Sequence, residues 1–130
     1  MSTIEVVLLA PVMVIFILFV VALGLIVDAK GQAYGAARDA ARAGALQRDY
    51  DAAVDAAQAA AAADLGNHCL GGPVLVPSAR GTFAAGELFV VEVRCDVSLS
   101  GLNLLGLGPS KLVTARAAAP LDTYRRTGQP

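Results

Sequence analysis

The chain has 130 residues, of which 56% are hydrophobic, 16% charged and 5% aromatic. That is room for one small domain, too apolar for disorder and too poor in rings for base stacking. Ten lysines and arginines against eleven acids give a formal charge of −1, so the basic surplus that supports nucleic-acid binding is missing. Two cysteines and one histidine are too few soft ligands for a four-ligand zinc site; a single disulfide is the alternative, and no cofactor is implied.

From Val6 to Val27 no side chain is charged or strongly polar. As a helix these roughly 22 residues span ~33 Å, the thickness of a bilayer core. Glu5 bounds the run on one side, Asp28 and Lys30 on the other, and no small-residue cleavage site follows. A retained transmembrane helix therefore fits better than a conventional signal peptide. Lys30, Arg38, Arg42 and Arg48 follow the span and no base precedes it, which by charge alone puts the C-terminal part inside. A disulfide between Cys69 and Cys95 requires an oxidising compartment and argues for outside. A basic leader removed before Met1, making Met1 a processed N-terminus, reconciles the two.

Beyond the span, 28–66 reads as a continuation of the same helix, because alanine is dense and proline absent. A charge-free stripe runs through Ile26, Ala29, Ala33, Ala36, Ala40, Ala43, Tyr50, Val54, Ala57, Ala61 and Leu65, and Gly66 with Asn67 ends it. The expectation is one rod of about 60 residues, ~90 Å long. Ala36, Ala40 and Gly44 recur every fourth residue, a series that permits close approach to the sheet, by default, or to another subunit.

The period then changes. Val74–Val76 is a short β-prone run; Leu88–Leu99 alternates, with Phe89, Val91, Val93, Cys95, Val97 and Leu99 on one face; Lys111–Ala118 is a weaker third strand. Such a sheet is too small to stand alone and needs the alanine stripe as its other layer. Cys95 faces that core, so a bond to Cys69 ties the helix end to the central strand. The expected fold is α+β: a hydrophobic transmembrane and assembly helix (1–27), its amphipathic continuation (28–66), a small antiparallel sheet region (67–120) and a flexible tail (121–130).

Enzymatic readings fail in turn. His68 next to Cys69 does not converge on a substrate, and a disulfide consumes the thiol. Gly106, Gly108, Ser110 and Lys111 lack the order of a phosphate loop. Glu5 stands apart. A carboxylate at the edge of an apolar span is costly unless it sits among headgroups or meets a cation, and the α-amino group of Met1, in the same or a neighbouring chain, is a natural partner. Pro11 removes a backbone donor and loosens the helix near Val7, or is simply a tolerated membrane proline.

Glu5, the run from Val6 to Ala29 with Pro11 near its start, and GAARDAARAGAL at 35–46 resemble the TadE-like pilins of tight-adherence (Flp-type) pilus systems. The likeness covers roughly the first ~50 residues. It implies a leader cut by a prepilin peptidase and a role for Glu5 in bringing subunits into register. It further implies a non-enzymatic subunit, minor or structural, that passes from a single-pass state in the cytoplasmic membrane into a cell-surface pilus. Its partners would be lipid, the inner-membrane assembly machinery and other pilins. Asp39 is followed by Ala40 where the family has glycine. The competing reading is a membrane-anchored extracellular binding module with no filament role.

Overall fold

A computed structural model describes residues 2–98, 106, 108 and 110–122. Helix α1 runs from Thr3 to Ala45 and α2 from Tyr50 to Leu65. Three strands follow, β1 (Val74–Pro77), β2 (Leu88–Ser98) and β3 (Ser110–Pro120), paired antiparallel in the order β1-β2-β3. The α+β architecture expected from the sequence is thus present, with a long apolar helix and a three-stranded sheet. Leu99 lies outside the described residues.

The single rod is corrected. The helix stops after Ala45 and restarts at Tyr50, without a proline or glycine in the four-residue connection. Leu46 and Gln47 donate back to the carbonyls of Arg42 and Gly44, at 3.2 and 3.1 Å. The Asp49 carboxylate then accepts from the Ala52 N–H at 3.4 Å and caps α2. Tyr50 anchors the new start: its hydroxyl donates to the Ser78 carbonyl at 2.7 Å, and its ring meets Phe83 edge-on at 5.9 Å. Leu65 and His68 consequently lie beside Asp28, Ala29 and Gln32, so α2 runs back along α1. Tertiary packing has overruled helix propensity: folded back, the second alanine stripe is covered instead of facing solvent.

The helical hairpin forms one layer, with α1 over β2 and β3 and α2 beside it towards β1. Ala33, Ala36, Ala37, Ala40 and Ala41 of α1 and Ala53, Ala57, Ala61 and Leu65 of α2 are buried against Phe89, Val91, Val93 and Cys95 of β2 and Val113 and Ala115 of β3. Glu92, Arg94 and Arg116 occupy the outer face, where Glu92 pairs with Arg94 at 2.7 Å and with Arg116 at 3.9 Å. Phe83 and Phe89, edge to face at 5.7 Å, are the largest fully buried side chains, each stabilising the fold by about 2–3 kcal/mol through burial. Gly44 packs directly on the Phe89 ring, so the small-residue series serves the sheet. Leu121, counted with the tail in the sequence reading, is buried, and its N–H donates to Glu87 at 2.8 Å.

Cys69 and Cys95 are disulfide-bonded, with Cα atoms 5.1 Å apart. Gly71 and Gly72, with φ of 75° and 85°, turn the chain from the bond into β1, a conformation that side chains beyond glycine resist. The closed loop, with a sequence separation of 26, lends about 3.5 kcal/mol by restricting the unfolded chain.

Candidate functional site: the apolar helix and its acidic first turn

The second half of α1 is the spine of the core, whereas its first half has almost no cover. From Ile4 to Val27 nearly every large side chain is exposed; Ala22 is buried and Leu18 and Ile26, on the same helical row, are half-buried. Among the described residues this is the helix long and apolar enough to cross a membrane. Exposed apolar surface on this scale is not left to water.

Glu5 lies in the first turn of that helix, exposed to solvent. Ser2, in extended conformation, is the N-cap, and its hydroxyl accepts from the Glu5 N–H at 3.3 Å. Ser2 and Glu5 have the spacing of a capping box, a pattern already legible in the sequence as a serine three residues ahead of a glutamate. The carboxylate also sits at the positive end of the helix dipole, worth about 0.3–1 kcal/mol. Its expected partner, the amino group of Met1, lies outside the described residues. Pro11 lies within α1, which continues through it to Ala45; proline leaves the Val7 carbonyl without its usual donor.

Among the described residues these form an exposed apolar surface. Cys69 and Cys95 are consumed by their bond, His68 is exposed beside it, and among the described residues no three His, Cys, Asp or Glu side chains gather to hold a metal. Asp39 of α1 and Asp64 of α2 meet across the hairpin, and sharing a hydrogen bond with Asp39 raises the Asp64 pKa above the ordinary carboxylate value. Only the fold-back brings them together, so no sequence spacing could have paired them.

An exposed apolar helix that opens on a carboxylate, contains a proline and runs without interruption into an alanine- and arginine-rich half is the feature to be matched. Residues 1–42 match the family model of TadE-like protein. No curated protein and no solved structure matches the chain. The TadE-like segment covers the span and most of the core-forming half of α1, leaving α2 and the sheet outside it. The resemblance read from Glu5, the apolar run and the alanine-arginine stretch is borne out over this segment. The match, confined to the N-terminal third of the chain, is to a family associated with Tad pilus systems.

Proposed function

We propose that the protein is a pilin-like structural subunit of a tight-adherence pilus, assembled through the apolar half of α1. Before assembly that half crosses the cytoplasmic membrane once, with α2 and the sheet outside, where the Cys69–Cys95 bond is stable. On assembly the apolar surfaces of neighbouring chains replace lipid around one another. Glu5 then meets the Met1 amino group of an adjacent chain, which spares a charge from isolation in an apolar bundle and sets axial register. The observation that carries this reading is the division of α1: one half is covered by the chain's own core, and the other is apolar, exposed and TadE-like.

Glu5→Ala tests it. Membrane insertion, the disulfide and the outer fold should be unchanged apart from the small capping contribution, while recovery in sheared surface filaments falls sharply and Glu5→Asp is intermediate. Equal recovery of Glu5→Ala and wild type would refute the assembly role of Glu5. Absence of all versions from any filament would instead favour an anchored binding module.

A further inference from the structure

Eight of the ten basic residues are arginines, and the two lysines are Lys30 and Lys111. They stand about 80 residues apart in sequence, yet both line one groove of ≈ 190 Å³, together with Ile26, Leu112, Val113 and Thr114. The groove lies where the span ends: Ile26 belongs to the last turn of the apolar run and Lys30 to the first polar turn beyond it, while Lys111 and Leu112 open β3 at the matching end of the sheet. Both lysines are exposed, and neither is in an ion pair among the described residues. Among the described residues no acid lines the groove. Asp28 lines a different groove, where it accepts from the Gln32 amide at 2.9 Å. Leu112 leaves half its surface uncovered beside Lys111.

We propose that this groove binds the phosphate of an anionic phospholipid, with Lys30 and Lys111 as its cationic walls and Ile26 and Leu112 against the upper acyl chain. The inference rests on the membrane-spanning reading of α1. Lysine suits the position: its ammonium is a compact charge for phosphate, and its stem lies along apolar surface while the head stays at the interface. Two lysines on different elements that share one phosphate clip the sheet to the foot of the span. Each lysine near an anionic surface contributes about fivefold in affinity. The chain would then hold its outer domain down on the bilayer until assembly removes it from lipid.

The test uses the full chain in bilayer nanodiscs of phosphatidylcholine alone or with one third phosphatidylglycerol, reading the acetylation rate of each lysine by mass spectrometry. Anionic discs should slow both lysines about fivefold or more relative to neutral discs, and 10 mM inorganic phosphate added to neutral discs should protect neither. In anionic discs Lys30→Gln should return Lys111 towards its neutral-disc rate, and Lys111→Gln should do the same for Lys30, because the two share one ligand. Equal rates in both discs, or protection of each lysine that is indifferent to the other's replacement, overturns the site. Equal protection by inorganic phosphate overturns the lipid as its ligand. Failure of the chain to stay in either disc overturns the membrane reading and the site with it, which separates the two outcomes.

Discussion

Gly44→Ala isolates the contact that seats α1 on the sheet. A Cβ at this position would overlap Cε1 of Phe89 and lie 2.8 Å from Cδ1 and 3.0 Å from Cζ of the same ring, inside any acceptable van der Waals separation. Phe89 cannot swing clear, since it is fully buried and held edge-on by Phe83. Overpacking of this kind costs about 1–3 kcal/mol. Alanine in place of glycine returns up to about 1 kcal/mol in a helix interior, and less here because Gly44 is one residue from the helix end. The expected net loss is about 1–2 kcal/mol, or a fall on the order of 5–10 °C in the melting temperature of the helix–sheet domain. Near-ultraviolet circular dichroism of the full chain in detergent micelles, read in the tyrosine band, follows the packing of Tyr50 on Phe83, because the aromatic residues of the span are Phe16 and Phe19, with no tyrosine among them. Combining Gly44→Ala with Phe89→Leu should recover part of the loss, as expected for residues in direct contact. A Gly44→Ala protein as stable as wild type would refute the packing argument.

Reduction of the disulfide, or a Cys69→Ser and Cys95→Ser double variant, should lower stability by about 3.5 kcal/mol, and alkylation of the native protein without reductant should find no free thiol. Tyr50→Phe removes the hydroxyl donor to Ser78 and should cost about 1 kcal/mol by the same melting assay, with the Arg80 contact to the ring, 4.7 Å from its centroid, retained. The Asp64 pKa is raised in the folded protein by its hydrogen bond to Asp39, so the folded state holds that proton more tightly than the unfolded one. Its contribution is present below the unfolded value of 3.8 and is lost as pH rises through the folded value. Asp64→Asn should therefore stabilise the protein at pH 7, and the gain should shrink on acidification in urea melts taken at several pH values.

What the sequence revealed and what it hid divide by range. The alternation from Phe89 to Val97 identified the central strand and the side of it that holds Cys95, because a period of two is a local property. Glu5 and the apolar run were legible for the same reason. The break at 46–49 was not, since alanine-rich segments on either side favour continued helix and the anchors of the fold-back, Ser78 and Phe83, are distant in sequence. Asp49 could have given warning as a capping residue ahead of an alanine run. Phe83, isolated in a glycine- and alanine-containing loop, showed no periodic pattern and proved central to the core. Lys30 and Lys111 share a groove only because the sheet descends to the foot of the span.

The continuity of α1 also has a mechanical meaning. With α1 continuous from Thr3 to Ala45 and only the bond to the Val7 carbonyl missing at Pro11, a pull along the axis of the apolar half travels down the helix directly into the helix–sheet domain. There it is borne as shear, spread along the alanine rows, Gly44 and the strands beneath them. The hairpin turn and the disulfide-closed loop lie off that line of force. The helix–sheet domain is hung from a shaft laid along one face of its sheet, so axial load is shared by the whole packed face at once and does not unzip the sheet strand by strand.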